Sequence, residues 1–245
     1  MQHKKRVLSI ALIGVLLAVI GYLLPYYLQL SDDQIWLHRT NSLQKLHQFE
    51  SRYQHFEVDL VYRDTGDFEV SHDIDGSSSI FLRDYLAYLA TGDTKLWLDI
   101  KNLNTHNQAA ALRTLQALCA THGFSPDRLI IESGNPEALR LFSQAGLYTS
   151  YYLPIDQLTE RSAAEQATVF AHINQAVAQG GIDAVSFWGP YYPEVKDYLL
   201  HPVDLLIWEH RVAKAFLPLL HRRRQILNDT AVHVILVKEK GDYHL

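Results

Sequence analysis

Residues 56–63 read FEVDLVYR, and the acidic residues of this stretch alternate with apolar ones. Successive side chains of a β-strand point to opposite faces, so Glu57 and Asp59 share one face while Phe56, Val58 and Leu60 share the other. In a barrel that is surrounded by helices, the apolar face contacts the helices. The two carboxylates are therefore predicted to point into the barrel.

The spacing of similar segments predicts the fold class. Short apolar stretches alternate with longer stretches rich in Ala, Leu and Gln that end at Gly, as helices do. Alternating β and α segments indicate a parallel sheet, and eight repeats within one domain favour a closed (β/α)8 barrel, a TIM barrel, over an open doubly wound sheet. The predicted strands cover residues 35–38, 56–63, 95–101, 128–133, 147–154, 183–189, 203–209 and 231–238.

The third of these strands, KLWLDIK at 95–101, repeats the pattern of the second. Trp97, Asp99 and Lys101 share a face, so a third carboxylate enters the interior. The acidic groups lie toward the strand ends at which barrel enzymes place their active sites. Three hard oxygen donors suit Mg²⁺ or Ca²⁺. The alternative is structural ion pairing of each acid with Arg39, Arg63 or Lys101.

Two histidines are predicted to reach the same end of the barrel. His38 closes the first strand, and His72 lies in the loop after the second. A single histidine is usually a satisfied polar residue, but two beside three carboxylates indicate an acid–base pair.

These motifs, in this order, resemble those of the glycerophosphodiester phosphodiesterase superfamily of (β/α)8 barrels. The matching segments are HR at 38–39, EVD at 57–59, HD at 72–73, LDIK at 98–101 and IWE at 207–209. The resemblance implies that Glu57, Asp59 and Asp99 bind a divalent cation and that His38 and His72 supply acid–base catalysis.

The resemblance also assigns substrate contacts. Lys101 looks like the phosphate-contacting lysine of the family, and Trp208 resembles the tryptophan that lines its pocket. Arg39 and Asn41 stand in the segment HRTN, which has the form H-x-x-N. This form, together with Asp in LDIK, is more similar to the sphingomyelinase D-like and menorin-like branches. Glu132, at the end of the fourth predicted strand, is an extra acid, either a pocket residue or a helix-cap or salt-bridge partner.

The expected activity is metal-dependent cleavage of a glycerophosphodiester or of a phospholipid head group. Arg39 and Lys101 would add positive charge at the phosphate. The attacking group is water or a hydroxyl of the substrate, and the second would give a cyclic phosphate. A catalytically silent barrel that binds a phosphorylated ligand or a protein partner is the alternative.

Residues 7–30 read VLSIALIGVLLAVIGYLLPYYLQL and carry no formal charge. This length predicts a membrane-spanning helix, with residues 31–245 forming the barrel domain. The segment HKKR before it and the segment SDDQ after it favour a single-pass signal-anchor with the barrel outside the cytoplasm, in the periplasm if the source is bacterial. A cleaved signal peptide is the alternative.

Composition argues against a nucleic-acid-binding protein and against a disulfide-stabilised one. The net charge of −5 offers no basic field for nucleic acid. Cys119 is the only cysteine, so no disulfide forms within the chain, and its helix-like context indicates a small buried apolar residue.

Overall fold

The computed structural model describes residues 2–28, 30–209 and 211–239. Within these ranges, nine strands form one sheet. Their bounds are β1 (Ile35–Leu37), β2 (Phe56–Tyr62), β3 (Phe68–Val70), β4 (Leu96–Ile100), β5 (Leu129–Ser133), β6 (Tyr148–Tyr152), β7 (Ala184–Trp188), β8 (Asp204–Glu209) and β9 (Val232–Val237).

Eight of these strands close into a parallel barrel, because β1 pairs with both β2 and β9. The predicted (β/α)8 barrel and its eight strands are confirmed. The strand that was not predicted is β3, which pairs antiparallel with the end of β2. The turn between them contains Gly66 with φ of 80°, a conformation that glycine adopts without a steric penalty. Because of this hairpin, His72 follows β3 rather than β2 itself.

Helices surround the barrel. The α-helices are α1 (Gln2–Leu28), α2 (Leu43–Phe49), α3 (Leu82–Tyr88), α4 (Gln108–His122), α5 (Pro136–Gln144), α6 (Ala163–Ala178), α7 (Tyr192–Tyr198) and α8 (His221–Asn228). Local sequence defines the ends of two of these helices. The Asn135 side chain accepts a hydrogen bond from the amide of Ala138 at the start of α5, and Gly123, with φ of 63°, ends α4.

The core has two parts. The larger part lies between the outer face of the strands and the helices, and it includes Val58, Leu60 and Cys119. Cys119 is buried, as predicted, and its burial raises the pKa of the thiol to about 11. The smaller part fills the inside of the barrel with the apolar side chains of Trp36, Trp97, Ile130, Ala184, Leu206, Val234 and Leu236. The polar residues that follow these positions along the strands are thereby held at the C-terminal end of the barrel.

The N-terminal segment is helical, as α1. Its last turns contact the barrel domain, where the Tyr27 hydroxyl donates to the carbonyl of Ala215 at 2.8 Å. The Arg224 guanidinium lies 5.1 Å from the Tyr22 ring centroid and 5.5 Å from that of Tyr26. No helix in the described ranges combines the length and the mean hydropathy needed to cross a membrane. The membrane-spanning helix predicted over residues 7–30 is therefore not supported.

Candidate active site

A cleft of about 500 Å³ opens at the C-terminal end of the barrel. It contains most of the residues that the sequence singles out, together with several that it does not. The lining residues are His38, Arg39, Glu57, His72, Ile74, Asp99, Ile100, Lys101, Glu132, Gly134, Tyr152, Trp208, Leu236 and Lys238.

Three carboxylates converge beside this cleft. Asp59 of β2 pairs in register with Asp99 of β4, and each points into the barrel as its strand parity requires. Together with Glu57 they offer oxygen atoms that all lie within 4.8 Å of one another. Glu57 and Asp59 are each only 1% exposed. The predicted convergence of the three acids is confirmed.

Asp59 is held by two neighbours. The Asn41 side-chain amide donates to Oδ2 of Asp59 at 2.6 Å, and the Asp59 backbone amide donates to Oδ1 of Asn41 at 3.0 Å. The Lys101 ammonium lies 2.6 Å from Oδ1 of Asp59 and also donates to Asp99. Asn41 therefore orients a carboxylate and is not among the cleft-lining residues, whereas Lys101 lines the cleft and neutralises part of its acidic wall.

His38 lies against Glu57. Its Nε2 atom is 3.7 Å from Oε2 of Glu57, which also accepts a hydrogen bond from the backbone amide of Arg39 at 2.5 Å. The Glu57 carboxylate is thus placed beside one of the predicted acid–base residues and fixed by the backbone next to it.

His72 approaches from the segment after β3. Its Nδ1 lies 2.8 Å from Oδ1 of Asp73, and its Nε2 lies 2.6 Å from Nη2 of Arg39. A guanidinium can only donate, so Nε2 of His72 is the acceptor in this contact and carries a lone pair. Nδ1 then holds the proton and donates it to Asp73. The sequence motif HD at 72–73 therefore forms a histidine whose orientation is set by the following aspartate.

The electrostatics of Glu57 and Asp99 are those of buried acids that share little positive charge. Burial, together with the charges of Asp59 and Asp99, holds the pKa of Glu57 well above its usual value. Burial likewise raises the pKa of Asp99, although Lys101 opposes this shift. Oε1 of Glu57 is buried and has no hydrogen-bond partner among the residues that the structure describes. These features fit a divalent cation with oxygen ligands, such as Mg²⁺ or Ca²⁺.

Glu132 lies on the same side of the cleft as the three converging carboxylates. It pairs in register with Asp99, is 1% exposed, and accepts a hydrogen bond from the Ser150 hydroxyl at 3.3 Å. Burial and the charge of Asp99 hold its pKa well above the usual value. The sequence left its role open, and the structure places it in the cleft.

The opposite wall is aromatic. Trp208 of β8 stacks on Tyr152 of β6, with ring centroids 4.8 Å apart and an angle of 27° between the planes. The sequence singled out Trp208 but missed Tyr152, although strand parity places Tyr152 on the same inward face as Ser150. Lys238, just after β9, also lines the cleft and was missed.

Comparison with known proteins identifies the fold. No family model and no curated protein matches the sequence. Among solved structures, a glycerophosphodiester phosphodiesterase described as putative from Galdieria sulphuraria matches with a TM-score of 0.59 and 14% identity, over 83% of this chain and 93% of that one. The enzyme of the same class from Parabacteroides distasonis gives a TM-score of 0.58 and 15% identity, over 83% and 92% of the two chains. The chain has the fold of the glycerophosphodiester phosphodiesterases.

A third solved structure of this fold is a phosphodiesterase from Oleispira antarctica in complex with its product sn-glycerol-3-phosphate. It matches with a TM-score of 0.56 and 14% identity, over 83% of this chain and 92% of that one. The resemblance drawn from the sequence motifs thus agrees with the fold. The closer likeness to the sphingomyelinase D-like and menorin-like branches stays a prediction.

Proposed function

We propose that this protein is a metal-dependent phosphodiesterase that acts on a glycerophosphodiester or a phospholipid head group. The observation that carries the proposal is the arrangement of two histidines around three converging carboxylates at the C-terminal end of a barrel that has the glycerophosphodiester phosphodiesterase fold. Fold alone does not assign activity, so the site supplies the argument.

The cation would be held by Glu57, Asp59 and Asp99, the residues whose oxygen atoms converge. When bound, a divalent ion at such a site supplies Lewis-acid polarisation of a phosphoryl oxygen. Lys101 lies beside the same carboxylates and lines the cleft. Together with Arg39 it places positive charge where negative charge builds on the phosphoryl oxygens in the transition state.

The two histidines would move the protons. The oxygen of water or of a substrate hydroxyl forms a new bond to phosphorus, and the bond from phosphorus to the leaving oxygen breaks. One histidine takes a proton from the attacking oxygen, and the other gives a proton to the leaving oxygen. For His72 to accept a proton at Nε2, the Arg39 guanidinium must first move from its contact at 2.6 Å. A negatively charged phosphate gives Arg39 an alternative partner and thereby frees His72.

The shape of the cleft supports an organic group next to the phosphate. Trp208 and Tyr152 form a stacked aromatic pair on the wall opposite the charged residues. The Oleispira enzyme holds sn-glycerol-3-phosphate as product, which supports a glycerol phosphate ester as one half of the substrate. Attack by water gives the open product, and attack by a neighbouring substrate hydroxyl gives a cyclic phosphate.

The test is a substrate panel for the purified full-length chain. Glycerophosphodiesters, lysophospholipids and sphingophospholipids are incubated with EDTA, with Mg²⁺ and with Ca²⁺, and ³¹P NMR identifies open and cyclic products. We expect turnover of at least one class that EDTA abolishes. Absence of turnover with every substrate and ion would contradict the proposal and favour a silent barrel that binds a phosphorylated ligand or a protein partner.

The location of the barrel outside the cytoplasm also stays a prediction, based on the charges that flank residues 7–30. A fusion of alkaline phosphatase to the C-terminus tests it, since that reporter is active only outside the cytoplasm. An inactive fusion that is nonetheless produced at full length would contradict it.

A further inference from the structure

Arg39, which lies between the first histidine and the carboxylates, has an unusual backbone conformation. Its φ is 51°, in the left-handed region that non-glycine residues rarely adopt. Such a conformation costs free energy and persists only where surrounding contacts hold it. Here the contacts are made with the carbonyl groups of residues 38–40.

Arg39 contacts both the converging acids and His72. Its backbone amide donates to Oε2 of Glu57 at 2.5 Å, while Nη2 of its guanidinium lies 2.6 Å from Nε2 of His72. Nε of the same guanidinium lies 3.8 Å from Oδ2 of Asp59. One residue thus contacts two of the converging acids and one histidine, and its backbone conformation decides whether it reaches all three.

The carbonyl groups of this turn are held by a buried lysine. Nζ of Lys45 in α2 donates to the His38 carbonyl at 2.8 Å and to the Arg39 carbonyl at 2.9 Å. The next carbonyl, that of Thr40, accepts a hydrogen bond from the Tyr85 hydroxyl at 2.5 Å. Three consecutive carbonyls are therefore fixed by side chains of α2 and α3.

Lys45 occupies a position that is costly for a charged side chain. It is 1% exposed, and burial lowers the pKa of its ammonium to about 8, with Glu57 opposing the shift. Lys45 is not among the cleft-lining residues, so it lies behind the turn and not on the side that substrate approaches. Packing alone would be satisfied by an apolar residue at this position, as it is by Leu46 next to it, which is also buried.

We propose that Lys45 is a positioning residue that holds Arg39 in the left-handed turn by binding the carbonyls of His38 and Arg39. Its ammonium thereby directs the Arg39 amide toward Glu57 and the guanidinium toward His72. The effect on turnover rests on the proposed phosphodiesterase function. The effect on the Arg39–His72 contact does not.

The test compares Lys45→Met with Leu46→Ala in the full-length protein. Methionine keeps an unbranched side chain in the core but removes the ammonium, whereas Leu46→Ala removes apolar packing from the neighbouring buried position of α2 without removing a hydrogen bond to the turn. Imidazole ¹H–¹³C NMR reports on His72, and steady-state kinetics report on catalysis. We expect Lys45→Met to move the His72 resonances, because the Arg39 guanidinium is no longer held beside the ring. We also expect kcat to fall by about 10- to 100-fold with a smaller change in KM, because Arg39 is no longer placed to transfer from His72 to the phosphate. Leu46→Ala should leave the His72 resonances in place.

The outcomes separate the two proposals. Unchanged His72 resonances in Lys45→Met, or equal changes in Leu46→Ala, would overturn the role of Lys45. If the wild-type protein turns over no phosphodiester, the proposed function fails, and the NMR comparison still decides the role of Lys45. If Lys45→Met does not fold, Lys45→Gln replaces it, because its shorter amide donates more weakly. In that variant a His72 spectrum identical to the wild type would likewise overturn the proposal.

Discussion

The two halves of the barrel present different walls to the same cleft. From β1 to β5, the inward positions at the mouth carry His38, Glu57, Asp99, Lys101 and Glu132. From β6 to β9, the corresponding wall is formed by Tyr152, Trp208 and Leu236, with Lys238 at its upper end. Under the proposed function, the first wall would bind the cation and the phosphate and move the protons, and the second would accept the organic part of the substrate.

A second difference concerns buried acids. Glu209 at the end of β8 is 3% exposed and bound by two arginines, with Nη2 of Arg222 at 2.6 Å and Nε of Arg223 at 2.8 Å. Glu132 and Glu57 are as deeply buried, yet their charges are not balanced in this way, and their pKa values are raised. A buried acid that the chain itself neutralises is structural, whereas Glu57, which belongs to the cluster of converging oxygen atoms, could bind an external cation.

The largest effect is expected from the histidines of the first wall. His38→Ala and His72→Ala should each lower kcat by about 10²–10⁴-fold, the usual contribution of a general acid or base. Steady-state assays on the substrate identified by the panel measure this effect. His47→Ala is the matched control, because His47 lies exposed on α2 and its ring packs on Tyr88, outside the cleft. Near wild-type activity in either site variant would remove that histidine from the mechanism.

Replacement of Glu132 and of Glu209 by glutamine should change the free energy of unfolding in opposite directions. In metal-free protein at neutral pH, Glu132→Gln should raise the free energy of unfolding by roughly 1–3 kcal/mol, because it removes a buried carboxyl group whose charged form has no balancing cation. Glu209→Gln should lower it, since two arginines lose their partner. Urea denaturation in EDTA measures both.

The effect of Glu132→Gln depends on pH with a defined sign. The pKa of Glu132 is raised in the folded state, so the stability that its protonated form contributes is complete at low pH and is lost as the pH rises through that raised value. The advantage of the glutamine variant should therefore grow with increasing pH and vanish in acid. A constant difference across the pH range would contradict the assigned cause.

The smallest effect is expected on the aromatic wall. Trp208→Ala removes the ring that stacks on Tyr152 and should raise KM by about three- to tenfold with kcat little changed, which corresponds to the usual 0.5–1.5 kcal/mol of an aromatic contact. Initial-rate kinetics separate the two constants. A decrease in kcat alone would instead indicate that Trp208 contributes to the catalytic step and not to substrate binding.

Sequence periodicity predicted most of the barrel because strand parity is a local property. Alternation in FEVDLVYR and KLWLDIK is enough to point Glu57, Asp59 and Asp99 inward, and a parallel barrel leaves them no other place to converge. The segment DFEV escaped prediction as β3 because a strand of three residues is too short for a periodic signal.

Other features depend on contacts between distant segments. The buried position of Lys45 depends on how α2 packs behind the turn at Arg39, and no pattern in LQKLHQF signals it. Strand parity points Tyr152 inward, but its stacking on Trp208, which is 56 residues away in the sequence, is a contact between distant segments. The apolar composition of residues 7–30 predicted a helix correctly, but the step from helix to membrane span is not supported.

Direct titration of divalent cations is the measurement closest to the central claim, that Glu57, Asp59 and Asp99 together bind one ion. Isothermal titration calorimetry with Mg²⁺ and Ca²⁺ is carried out on the metal-free wild type, on Asp59→Asn and on Glu209→Gln as the control. The account predicts one ion per chain in the wild type and in Glu209→Gln, with affinity at least about tenfold weaker in Asp59→Asn. Absence of binding in the wild type, or equal affinity in Asp59→Asn, would contradict it.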